Sequence, residues 1–151
     1  MSPMPDLLQL AIQSLPHGPE FRFVDRMLSL TPGKEGAGEY RVRGDEFYLR
    51  GHFPGEPILP GVLLVEAGAQ VAGIVAQEDP AHPSLPHLKL TALRNVKILG
   101  SARPGETLRI EAAITGRLGF LVQAEVSASI AKTKVLSAEL TLSCASPAAR
   151  Q

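Results

Sequence analysis

The chain has 151 residues, 44% hydrophobic and 20% charged, which is the balance of one globular domain and excludes a wholly disordered chain. Fifteen basic residues balance fifteen acidic ones, so the net charge of zero gives no global case for binding nucleic acid. The lone cysteine, Cys144, excludes an internal disulfide, no apolar run reaches ~18 residues, and residues 1–10 lack a basic leader, so we expect a cytoplasmic protein with no membrane span.

Asp6 to Ser14 reads as a short amphipathic helix, ended by Leu15-Pro16-His17-Gly18-Pro19. Phe21 to Leu30 reads as a strand, Thr31 to Gly38 as a glycine-rich turn, and Glu39 to Arg43 as a short extended piece. Arg50 to Gly61 holds three prolines and three glycines in twelve residues, which excludes regular structure. Phe53, Ile58 and Leu59 make it too apolar for a linker, so it reads as a packed loop.

Val62 to Ala76 is apolar or glycine throughout except for Glu66 and Gln70, the pattern of a buried helix. Gly68 and Gly73 each cost roughly 1 kcal/mol there relative to alanine, a cost offset if a sheet packs close against the helix. Gln77 to Pro86 is a loop. From Leu88 onward the period changes to two. After a strand over Leu88 to Leu99, three runs alternate: Leu108, Ile110, Ala112, Ile114; then Phe120 to Ile130; then Leu136, Ala138, Leu140, Leu142. Short connectors at 115–119 and 131–134 predict an antiparallel meander. The fold class expected is α+β, a sheet of five or six strands around one buried helix, in a single domain over 1–151 with a core at 15–142 and a frayed tail at 145–151. The outer face of the sheet must be polar or covered by a second copy.

Glu66 is costly to ionise in such a helix, so burial should raise its pKa and suit it to act as a general acid. It also suits a carboxyl that plugs the core or reaches a subunit interface. Gln70, one turn on, either orients Glu66 or holds a water. His52 lies in the Gly/Pro-rich loop leading into the helix, either as a packing histidine or as a base beside Glu66. Gly61 and Val62 open the helix, either as a plain start or as an N–H site for a developing oxyanion. His17, His82 and His87 each adjoin a proline without metal-ligand spacing, so no metal site is expected.

Gly51-His52-Phe53-Pro54-Gly55-Glu56-Pro57-Ile58-Leu59-Pro60-Gly61-Val62, continuing to Glu66-Ala67 and Ala69-Gln70, resembles the signature of the beta-hydroxyacyl-[acyl-carrier-protein] dehydratases of the FabZ type. Leu15-Pro16-His17 with Val24-Asp25-Arg26, and Pro104-Gly105-Glu106-Thr107-Leu108, resemble flanking elements of the same family. The resemblance implies a hotdog fold, a homodimer with a continuous sheet and shared active sites, and assembly into hexamers. It implies that His52 of one subunit removes the alpha proton while Glu66 of the other expels the beta hydroxyl as water. Gly61 would then donate its N–H to the thioester carbonyl, with Gln70 behind the acid. No cofactor is implied.

The partner implied is an acyl carrier protein bearing a phosphopantetheine-linked acyl chain. Ile58, Leu59 and Leu63 are candidate tunnel walls, and Arg94, Lys97 and Arg103 candidate docking residues for the acidic carrier. The segments His17 to Phe23 and Leu93 to Leu99 depart from the family pattern, which bears on acyl length and pathway, either fatty acid or polyketide synthesis. An acyl thioesterase on the same fold and a non-catalytic acyl-binding subunit are the alternatives.

Overall fold

A computed structural model describes residues 7–50 and 55–144. Two helices, α1 (Leu7–Ile12) and α2 (Gly61–Gln77), accompany six strands. The strands are β1 (Arg26–Thr31), β2 (Glu35–Arg41), β3 (Lys89–Ile98), β4 (Thr107–Leu118), β5 (Leu121–Ile130) and β6 (Thr133–Ser143). They form one antiparallel sheet in the order β1-β2-β4-β5-β6-β3, with α2 against its inner face.

The period-two reading holds through the meander. Leu108, Ile110 and Ala112 of β4, Val122 to Ala128 of β5 at alternate positions, and Leu136 to Leu142 of β6 at alternate positions are all buried. The β5–β6 turn is only Ala131-Lys132, both at positive φ (47° and 71°), the backbone of a tight hairpin whose twist matches the strands it joins. The outer face is polar: Arg109, Glu111, Glu125, Lys134 and Glu139 line a wide hollow of about 800 Å³.

Two expectations for the N-terminal third are corrected. The run from Phe21 does not open as a strand. Pro19–Phe21 is a 3-10 turn and β1 begins only at Arg26. The reason is Gln70 of α2, which takes the Phe23 N–H and the Phe21 carbonyl, so this backbone bonds to the helix instead of a ladder. The glycine-rich stretch is also mostly strand, not turn: β2 starts at Glu35 and includes Gly36 and Gly38. A Cβ on Gly36 would stand 2.9 Å from Val75 Cγ2 on α2, and one on Gly38 3.0 Å from Val24 Cγ1. Those glycines let the helix and the β1 side lie close, a packing role and not a turning one.

The same close approach explains one glycine of α2. A Cβ on Gly68 would fall 2.7 Å from Val126 Cγ2 of β5. Gly73 differs, since nothing lies within 4 Å of its Cβ position. The helix begins behind Pro60, and the end of the loop before it is packed: Leu59 is 1% exposed and its N–H meets the Ala102 carbonyl at 2.8 Å. At the other end Arg117 donates to the Ala76 carbonyl (3.2 Å) and the Pro83 carbonyl (2.7 Å), meeting the helix C-terminus with a cation. Asp6 and the tail at 145–151 lie outside the described residues.

Candidate active site

The polar residues of α2 share one side of an otherwise apolar helix. Glu66, Gln70, Gly73 and Gln77 recur at intervals of four, three and four, which keeps them in one stripe. That stripe forms a wall of a cavity of about 210 Å³. The facing walls come from Leu15, Pro16 and His17 on one side and from Leu88, Leu90 and Leu142 on the other.

Glu66 sits at this cavity with 21% of its side chain exposed. Burial pushes its carboxyl above the ordinary carboxylate range. His17 pulls the other way, through its charge and a hydrogen bond, as does a hydrogen bond with Gln70, but the net direction is upward. His17 Nε2 stands 3.4 Å from Glu66 Oε1. Its ring stacks on Phe21 with centroids 6.2 Å apart, while its buried Nδ1 has no hydrogen-bond partner among the described residues. The 49 positions between His17 and Glu66 conceal this neighbour, and the likeness of Leu15-Pro16-His17 to the family's upstream element is the signal that points to the segment.

Gln70 is 2% exposed and is the one buried polar residue among those described. Its Oε1 accepts the Phe23 N–H and its Nε2 donates to the Phe21 carbonyl, each at 2.8 Å. It therefore ties the loop carrying His17 to the helix carrying Glu66. Gln77 does the same for the loop beyond the helix, accepting the Leu85 N–H at 2.9 Å and donating to the Leu85 carbonyl.

His52 lies outside the described residues. The chain leading toward it is anchored by Glu46, which accepts from the Tyr40 hydroxyl (2.6 Å), the Arg43 N–H (3.0 Å) and the Gly44 N–H (2.6 Å). Burial pushes the Glu46 carboxyl up, but these hydrogen bonds outweigh it and hold the group below its ordinary value.

Gly61 opens α2, five residues and about 7.5 Å of helix rise from Glu66. A Cβ there would stand 3.0 Å from Ile98 Cδ1, so the glycine admits the end of β3. Ile58, Leu59 and Leu63 are not among the cavity walls, and Leu59 and Leu63 pack into or against the core. Arg94 pairs across the ladder with Glu139, Lys97 lines the outer hollow, and Arg103 sits in the turn before β4 with its N–H on Glu106. His82 is held by Asp79 at 2.7 Å, away from the cavity walls. Among the described residues no group of three metal-ligating side chains converges and no helix is long and apolar enough to cross a membrane.

A six-stranded sheet curled around one buried helix, with a carboxyl of that helix facing a cavity, is the hotdog architecture. The model of the FabA-like domain matches residues 15–139, and the chain belongs to that family. It is 34% identical over 140 residues to a protein of Chloroflexus aggregans named 3-hydroxyacyl-[acyl-carrier-protein] dehydratase FabZ, covering 93% of this chain and 96% of that one. A protein of the same name from Geobacter metallireducens is 43% identical over 105 residues, 68% of this chain and 69% of that one.

Among solved structures, the dehydratase heterocomplex ApeI:P from Xenorhabdus doucetiae superposes with a TM-score of 0.78 at 16% identity, over 96% of this chain and 95% of that one. Zebra fish thioesterase superfamily member 2 gives 0.68 at 16% identity, over 92% and 96%. These two are likenesses of fold.

Proposed function

We propose that the protein is a hydro-lyase that removes water from beta-hydroxyacyl thioesters on acyl carrier protein to give trans-2-enoyl thioesters, in fatty acid or related acyl synthesis. The family match over 15–139 and the FabZ-named relatives support the reaction. The observation that carries the chemistry is Glu66, a carboxyl held above its ordinary pKa at the wall of a cavity. A carboxyl whose proton affinity is raised by burial is suited to pass a proton to a leaving hydroxyl.

In this reading the thioester acidifies the alpha hydrogen, which His52 of the partner subunit removes. The Gly61 N–H at the helix start stabilises the enolate oxygen. Glu66 protonates the beta hydroxyl, which departs as water. The proton taken by His52 balances the one Glu66 gives up, so the cycle closes when it returns to Glu66. Gln70 serves the acid by fixing the loop that bears His17. No cofactor enters.

A site shared between subunits needs a dimer, and β3 offers the surface. It is an edge strand, exposed along its length, with Leu93, Val96 and Ile98 at 45%, 38% and 49% exposure and Leu99 just beyond at 58%. An exposed edge strand of that kind is a template for pairing with another strand. Pairing two copies there continues the sheet, and such dimers are the unit from which hexamers assemble. Arg94, Lys97 and Arg103 remain the proposed contacts for the acidic carrier, and the setting is cytoplasmic, in keeping with a single thiol.

The test is turnover of a 3-hydroxyacyl pantetheine thioester, followed by the rise of enoyl absorbance. Wild-type protein should form the enoyl product, and Glu66→Gln should lose about 10²–10⁴-fold in kcat/KM while staying folded. Release of free thiol without an enoyl product would point instead to a thioesterase. Full activity in folded Glu66→Gln would remove the acid from the mechanism.

A further inference from the structure

His82 shows what a surface histidine of this chain does: it is exposed, and its Nδ1 meets Asp79 Oδ2 at 2.7 Å. His17 is built the other way. Its Nδ1 is shut off from solvent and has no hydrogen-bond partner among the described residues, while its Nε2 stands 3.4 Å from Glu66 Oε1. Nδ1 is already sealed within one subunit, so a second copy cannot reach it.

A neutral imidazole carries its one hydrogen on either nitrogen. Nδ1 is unpaired in both tautomers, so the Nε2 side decides between them. With the hydrogen on Nδ1, that N–H is a buried donor without an acceptor, and Nε2 faces the ionised carboxyl as acceptor against acceptor. With the hydrogen on Nε2, the ring gives Oε1 a donor. The separation is long for a hydrogen bond, as catalytic pairs are before substrate closes the site.

The ring is also held in place. Arg22 Nε donates to the His17 carbonyl at 2.8 Å, and the ring stacks on Phe21. The backbone of Phe21 and Phe23 is bound by Gln70, one turn from Glu66 on the same helix. The helix that carries the acid thus fixes the residue that faces it.

We propose that His17 is a positioning residue for the acid: its Nε2–H occupies Oε1 of Glu66, so the proton that Glu66 transfers rides on Oε2. The proposal rests on the dehydratase reading above. As the Oε2–H bond breaks, its proton joins the beta hydroxyl, and the carbon–oxygen bond breaks with its electron pair leaving in water. The negative charge left on the carboxylate is met by the Nε2–H already aimed at it. The sealed Nδ1 has no route to pass a proton on, so His17 is a donor and not a relay. Glu66 regains its proton through Oε2, from the cavity.

The experiment compares His17→Gln, which keeps a neutral N–H donor at a similar reach, with His17→Ala, which removes it. On a 3-hydroxydecanoyl pantetheine thioester, His17→Ala should lower kcat by about tenfold or more with KM within about twofold, and move the high-pH limb of kcat/KM upward. His17→Gln should recover most of the lost kcat and return the limb toward its wild-type position. Lys89, the other titratable side chain lining the cavity among the described residues, is the same in all three proteins.

A second readout needs no turnover. In protein with nitrogen-15-labelled histidine at about pH 8, where an ordinary imidazole is neutral, the ring signals that vanish in His17→Gln should show the Nε2–H tautomer. If the alanine variant fails to fold, this pattern and the kcat of His17→Gln decide. Any other pattern, a folded His17→Ala with wild-type kcat, or a His17→Gln as slow as His17→Ala overturns the proposal and leaves the dehydratase reading standing. A wild type that dehydrates no 3-hydroxyacyl thioester overturns both.

Discussion

Glu66 feels two opposing influences. Burial raises its proton affinity, and His17, 3.4 Å away, lowers it. Removing His17 therefore moves the Glu66 pKa further up. In the proposed mechanism the acid is active when protonated, so the high-pH limb of the dehydration profile would mark the loss of its proton. That limb should shift to higher pH in His17→Ala, measured as kcat/KM against pH. A limb that stays in place would show that His17 does not bear on the acid. Of this site, the sequence exposes Glu66 readily, because a lone carboxylate in an apolar helix is conspicuous. It does not expose His17, because nothing local in Pro16-His17-Gly18 says which helix face the loop will cross. Nor does it show that Gln70 reads backbone amides, a pairing that exists only after the chain from 21 to 23 has come to lie on α2.

At the scale of elements, the two glycines of α2 separate two uses of a missing side chain. Alanine at 68 meets Val126 at 2.7 Å, and overpacking of that kind costs about 1–3 kcal/mol. Alanine at 73 meets nothing and gains helix propensity of about 1 kcal/mol. Gly68→Ala should thus lower the denaturation midpoint and Gly73→Ala raise it, and chemical denaturation of the two variants checks both signs. Midpoints that move together would contradict this division. Strands β4, β5 and β6 were legible because each has one buried face, and a two-residue period survives any detail of packing. β2 was not, because Gly36 and Gly38 look like turn residues. Their reason for being glycine is the nearness of Val75, Val24 and Met27, which no local window reveals.

For the whole molecule, the proposed pairing of two copies along the exposed edge strand β3 would make assembly and catalysis one question. Val96→Lys places a charge on that edge, where strand pairing tolerates it poorly. The variant should sediment as a smaller species than wild type and, if each site draws His52 from the partner as proposed, lose turnover with it. An active, dissociated Val96→Lys protein would refute the shared site. The sequence implied the dimer only through family resemblance. The edge position of β3, last in an order that places it beside β6, emerges only from the assembled sheet.

The double hydrogen bond of Gln70 narrows what mutation can do at that position. The site asks for an acceptor and a donor on one planar group, at one reach, in a space that excludes solvent. Ionised glutamate has the shape but offers the Phe21 carbonyl a second acceptor and makes both bonds only if it keeps its proton, leucine has the volume but no polar atoms, and asparagine is one carbon short. Only glutamine makes both bonds without a change of protonation. Position 70 is thereby tightly constrained by folding alone.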